Sequence, residues 1–136
     1  MKPIAIDDFC AVRSLANVTF SPEGTSACFT VSQAKKEKNC YESRLYLLKG
    51  GRVRALTGGG KESSFCYLDE NMVLFAGDRE GEKEPSLTSR FYKIALDGGE
   101  ADLAYTFPIP VSQVFPLKNG DLLVVGSTFP GFEDLY

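Results

Sequence analysis

The chain has 136 residues, enough for one ordinary domain and too few for two comfortable ones. Its 43% hydrophobic and 24% charged residues are values of a folded globular chain, which excludes wholesale disorder. The formal net charge of −3 leaves no basic stripe to neutralise phosphates, which argues against a nucleic-acid partner.

The N-terminus, "MKPIAIDDF", has one lysine and then two acids, not the basic and apolar blocks of a secretory signal. No segment reaches the roughly 18–20 apolar residues of a membrane helix. No membrane partner is therefore expected, and a cytoplasmic location is. The stretch "IDDFCAVRSLA" predicts a short helix, with Asp7 or Asp8 as cap and Phe9, Val12 and Arg13 about a turn apart. A strand follows at 16–20. "SPEG" then reverses the chain: Pro22 fixes φ near −65° and Gly24 takes positive φ cheaply. "ACFTVS" opens a second strand over 26–32, β-branched and aromatic and too short for a helix.

A long polar loop is expected over 33–43, with "KKEK" at 35–38 as its solvated tip. Strands at 44–49 and 52–57 flank the paired glycines of "KGGR", a hairpin signal. "TGGGKESS" has the composition of a phosphate loop but not its register, because Glu62 follows Lys61; a flexible connection is the reading. Further strands are predicted at 63–68, 72–76, 90–96 and 101–106, the first pair joined by "LDEN" and the second by "DGGE". A second long loop falls at 78–89. Strands at 111–117 and 122–127 enclose "LKNG", and the sequence stops inside the next run, "EDLY".

These runs repeat. The turn residues Gly24, Asn71 and Gly120 fall 47 and 49 residues apart, and Tyr46 and Tyr92 are separated by 46. Four antiparallel strands at a period of 40–50 residues are the signature of a β-propeller. The predicted fold is all-β: a partial propeller of about two and a half four-stranded antiparallel blades behind a short N-terminal helix. A first blade is assigned to 15–57, a second to 62–106 and an incomplete third to 110–136, within a single propeller segment spanning 1–136. A β-sandwich is the competing architecture. A closed ring needs at least four blades, so the chain is expected to be part of something larger.

The order of motifs resembles the N-terminal propeller of the prolyl oligopeptidase family of serine peptidases, in particular its bacterial acylaminoacyl-peptidase and dipeptidyl-peptidase-like members. The matching pieces are "IDDF", "FSPEG", "VRALT", "FAGDREG" and "FYKIALDGGEA". They parallel that family's lead-in helix, W-S-P-D-G turn, R-x-L-T strand end, S-D-R strand exit and L-Y-x-I-x-x-D-G-G-E hairpin. Phe20, Tyr67 and Phe115 stand where the family usually carries tryptophan, of which this chain has none. The resemblance implies a propeller that admits short peptides, and excludes folded proteins, from a C-terminal α/β-hydrolase domain. That domain is absent from these residues and is the expected partner, with short peptides as substrates.

The chain itself carries no catalytic set. With no histidine, a Ser-His-Asp relay cannot be assembled from its residues, and "VGSTFPG" around Ser127 lies in a predicted strand, not at a strand-to-helix elbow. No activity is expected for residues 1–136 alone. No catalytic, cofactor-binding or metal-binding residue is assigned. The cysteines, Cys10, Cys28, Cys40 and Cys66, form no C-x-x-C pair and read as plain thiols. "NVT" at 17–19 matches a glycosylation acceptor but falls in a predicted strand. Some dipeptidyl-type relatives hold the substrate amine with propeller glutamates. Glu80, Glu82 and Glu84 are candidates of that kind, without a motif match, against the plainer reading of a solvated loop.

By strand alternation the tight turns share one end and the long loops the other, which makes the long-loop end the expected recognition surface. The alternative function is a stand-alone protein- or peptide-binding module completed by self-association. Either way, open strand edges predict a homo-oligomer.

Overall fold

The computed structural model describes residues 1–77 and 88–128. A 3-10 helix covers Ile6–Ala11 and is followed by strands β1 (Arg13–Phe20), β2 (Ser26–Lys35), β3 (Cys40–Lys49) and β4 (Arg52–Ala55). A second 3-10 turn, Lys36–Lys38, joins β2 to β3. Next come β5 (Phe65–Tyr67), β6 (Met72–Ala76), β7 (Ser89–Ala95), β8 (Asp102–Phe107), β9 (Val111–Pro116) and β10 (Leu122–Gly126). The architecture is mostly β. Strands β1-β2-β3-β4 form one antiparallel sheet and β5-β6-β7-β8 another, while β9 and β10 pair as a hairpin. Within each sheet consecutive strands are neighbours, and among the described residues no strand is shared between sheets. The described chain falls into two compact units, Met1–Glu62 and Ser63–Tyr136.

In the first unit the predicted helix is shorter and tighter than expected. Asp8 Oδ2 accepts the Ala5 N–H at 2.8 Å, and Val12 is already extended. Arg13, Ser14 and Leu15 leave helical geometry because Gln33, Ser32 and Val31 offer them ladder partners. β1 thus starts three residues earlier than predicted. A bulge interrupts it between Ala16 and Thr19, with Asn17 at φ 57°. Thr30 Oγ1 donates to the Ala16 carbonyl at 3.1 Å and Asn17 Nδ2 reaches Thr30 Oγ1, so this asparagine serves the bulge.

The long loop expected over 33–43 is not there. β2 and β3 pair as far as Lys35 and Cys40, leaving only a turn with Asn39 left-handed at φ 48°. Polar side chains do not stop a ladder when both strands continue in register, and Gln33, Ala34 and Lys35 face Glu42, Tyr41 and Cys40. A recognition surface built on a long 33–43 loop falls with it. The expected reversals do form: Gly24 sits at φ 73° and its N–H donates to the Ser21 carbonyl at 2.9 Å. The aromatic rings of Phe29 and Tyr46, opposite each other on β2 and β3, stack at 6.0 Å.

The second unit repeats that device. Phe75 and Tyr92 are opposite on β6 and β7 and stack at 5.9 Å. The "LDEN" turn has no glycine. It closes through Asp69 Oδ1, which accepts the Asn71 N–H at 2.7 Å, an Asx turn. The β9–β10 hairpin packs against the β5–β8 sheet: Cys66, Leu74 and Phe91 meet Val114, with Leu122 and Val124 beside them. Ser64 Oγ donates to the Ser112 carbonyl and the Val111 N–H donates to Ser89 Oγ, each at 2.8 Å. The expected loop at 78–89 lies almost entirely outside the described residues.

Candidate functional site

Two local constructions in the first unit gather polar chemistry. The first is the glycine-rich stretch after β4. Leu56 and Thr57 continue to bond β3, with both of their N–H groups on the Leu45 carbonyl and Thr57 Oγ1 accepting the Leu45 N–H at 3.1 Å. The chain then turns back so that the Glu62 carboxylate accepts the N–H of Gly59 at 3.0 Å and of Gly60 at 2.8 Å. Ser43 locks the loop from outside, donating to the Gly60 carbonyl and accepting from the Glu62 N–H. Glu62 is only 2% exposed. The loop is thus an anion-binding nest filled by the protein's own carboxylate, not a flexible connection and not a vacant phosphate cradle. A side chain on Gly59 would bring a Cβ within 2.5 Å of Glu62 Oε1, and Gly60 is at φ +87°, so glycine is needed at both.

The second is a shallow groove of about 100 Å³ on one face of the β1–β4 sheet, lined among others by Arg13, Gln33, Lys35, Glu42 and Arg44. These side chains share a face because the register pairs Arg13 with Gln33, Gln33 with Glu42 and Val31 with Arg44. Glu42 is held between Lys38 at 2.7 Å and Arg44 at 3.5 Å. The Lys38 hydrogen bond draws the Glu42 carboxyl below its ordinary range and raises the Lys38 ammonium in return. Three cations against one carboxylate suit a small anionic group. Its lining includes no serine, cysteine or histidine.

Ser127 follows β10, and its N–H donates to the Pro110 carbonyl at 2.9 Å. That is a hairpin end, not the strained strand-to-helix turn of a hydrolase nucleophile. Glu80, Glu82 and Glu84 lie outside the described residues. Among the described residues no helix is long and apolar enough to cross a membrane. The groove was missed in the sequence because it depends on partners far along the chain, whereas the nest's own bonds, from Gly59 and Gly60 to Glu62, are local. For the nest, the acid directly after "GGGK" was the available signal.

No protein-family profile matches the chain. It is 28% identical over 128 residues to "Uncharacterized peptidase YuxL" of Bacillus subtilis (strain 168). That alignment takes in 91% of this chain and 19% of the relative. The chain therefore spans less than a fifth of the length of the curated relative it matches. A peptidase relative agrees with the resemblance read in the motifs at the level of a peptidase-like protein.

The thiols follow their surroundings. Cys40 is exposed, Cys10 half-buried, and Cys28 and Cys66 buried. Burial pushes the Cys66 thiol up to about 11 from its ordinary 9.0. A thiol reagent at pH 8 is expected to modify Cys40 first, and Cys28 and Cys66 only after unfolding. Because the folded-state value of Cys66 is raised, its contribution to stability is complete below about pH 9 and is lost as pH climbs towards 11. Thermal melts from pH 8 to 11 check this: wild type should lose more stability above pH 9 than Cys66→Ala, and parallel curves would contradict it.

Proposed function

We propose that residues 1–136 are the non-catalytic, opening sector of a β-propeller in a serine oligopeptidase, with the α/β-hydrolase domain outside these residues. In that protein the propeller admits short peptides to the nucleophile and turns folded proteins away. The work is steric, so this sector needs no reactive side chain. The observation that carries the proposal is the similarity to a peptidase along 91% of the chain. It is supported by two four-stranded meanders with the same stacked Phe–Tyr pair at the same place. A third hairpin with its own sheet continues the pattern.

In this reading the β1–β4 sheet, the β5–β8 sheet and the β9–β10 hairpin are two blades and the start of a third. The cationic groove offers a place for a substrate carboxylate or an acidic side chain. The second reading is a stand-alone protein- or peptide-binding module completed by self-association, and the exposed Phe20, Val53, Phe115 and Leu123 favour it.

The test begins with the gene read through to its stop codon and the whole product expressed. A fluorophosphonate probe should label a serine outside residues 1–136. Chromogenic peptides of two to five residues should be cleaved and a folded protein should not. Residues 1–136 alone should hydrolyse none of them. A stop codon directly after Tyr136, no labelled serine, or cleavage of folded protein at the peptide rate would each overturn the proposal.

A further inference from the structure

The Ile6–Ala11 helix is held to the β2–β3 hairpin by two polar contacts. Gln33 Nε2 donates to the Cys10 carbonyl at 3.0 Å, and Lys36 Nζ pairs with the Asp7 carboxylate. Both members of that ion pair are exposed, so it is weak. No residue of the helix is buried, so apolar packing adds little to the attachment.

A cavity of about 300 Å³ lies where the helix meets the hairpin tip. Its lining includes Cys10 from the helix and Cys40 from the first position of β3, with Lys35, Lys36 and Asn39. The four thiols divide by access: Cys28 and Cys66 are buried, whereas Cys40 is exposed and Cys10 half-buried. The two that solvent reaches are the two that share a cavity, and all four are free thiols. An accessible thiol with a second one beside its cavity to resolve it is the arrangement of a redox pair.

We propose that Cys10 and Cys40 are such a pair: a small-molecule disulfide converts them to a Cys10–Cys40 bond that clasps the helix to the hairpin tip, and a small thiol releases it. The exposed Cys40 reacts first. Its thiolate attacks one sulfur of the reagent R–S–S–R, forming Cys40–S–S–R and expelling R–S⁻, which takes up the proton Cys40 gave up. The Cys10 thiolate then attacks the Cys40 sulfur and expels the second R–S⁻, protonated in the same way. Two protein thiols are oxidised, one disulfide is reduced to two thiols, and no further reagent enters. A disulfide needs its two Cα atoms within about 7 Å, and with only polar contacts holding the helix, Cys10 can close on Cys40 across the cavity. The proposal stands apart from the peptidase reading.

Oxidised glutathione is the probe. Reduced protein is incubated with it at pH 8, remaining thiols are alkylated in denaturant, and the peptides are mapped by mass spectrometry. Wild type should yield one linked peptide pair joining Cys10 to Cys40, with Cys28 and Cys66 alkylated, and dithiothreitol should abolish the link. Cys10→Ser should stop at glutathione held on Cys40, and Cys40→Ser should give no link. The oxidised wild type should melt at least about 5 °C above the reduced protein, since the bond closes a long loop, and neither serine variant should show that rise. Both substitutions fall at solvent-accessible positions, and far-UV circular dichroism confirms folding; the wild-type map decides the pairing without them. Glutathione retained on Cys40 of wild type, a Cys40–Cys40 link between two molecules, or no reaction overturns the proposal. So does a Cys10–Cys40 bond that leaves the melting temperature unchanged, because the helix would then not be clasped.

Discussion

Phe91→Ala is expected to lower the stability of the second unit by about 3–5 kcal/mol, the usual cost of emptying a buried phenylalanine site. Phe91 is 1% exposed and lies on the face of the β5–β8 sheet that receives the hairpin. It touches both layers: it clusters with Cys66, Leu74 and Val114, and its ring meets Phe107 edge-on at 5.7 Å and 81°. Truncation would leave a void between two sheets held together by hydrogen bonds from the Ser64 hydroxyl to the Ser112 carbonyl and from the Val111 N–H to the Ser89 hydroxyl, so the gap could not close easily. Against total stabilities of about 5–15 kcal/mol, that loss is a large share. Urea unfolding followed by circular dichroism measures it, tryptophan emission being unusable in a chain without tryptophan. Phe91→Leu should recover most of the loss. An alanine variant within about 1 kcal/mol of wild type would mean that the hairpin does not depend on this contact.

Glu62→Ala should cost about 1–3 kcal/mol, because it strands the Gly59 and Gly60 N–H groups beside the β3 strand. Glu62→Gln should lose less. Its single amide oxygen can keep one of the two donors while the amide nitrogen faces the other. The loss is read in the same urea titration, and the ranking wild type, then Gln, then Ala is the specific expectation. Added phosphate offers a second readout: with the internal carboxylate removed, the nest should bind the anion, and the alanine variant should regain stability in phosphate while wild type should not. Equal stability of all three proteins would show that water serves those donors as well as Glu62 does.

The strand content was legible because short β-branched and aromatic runs separated by Pro-Glu-Gly, Gly-Gly and Asn-Gly turns have few other ways to fold. β6, at Met72–Ala76, lies where its apolar run predicts. The errors fall where local signals are weak and partners decide. Arg13–Leu15 continue a plausible helix locally, yet join a sheet because β2 runs long enough to receive them. Residues 33–35 and 40–43 look like loop because they are polar, but a ladder is made by backbone groups and needs only register and a place to turn, which Asn39 supplies.

The candidate site divides along the same line. That this chain cannot assemble a histidine-dependent catalytic relay is a property of composition, and the sequence settled it unaided. That Arg13, Lys35 and Arg44 line one groove depends on which strands pair and in what register, whereas the glycine loop is occupied by an acid two and three residues from the N–H groups it accepts. Sequence alone determined the all-β class and the repeat of about 47 residues, because turn residues and strand propensity act over a few neighbours. Only the tertiary structure decided which apolar faces are covered and which stay open. Burial is settled by contacts between sheets far apart in the chain, and Leu74 and Leu123 are the same residue type at equivalent positions, one fully buried and the other exposed.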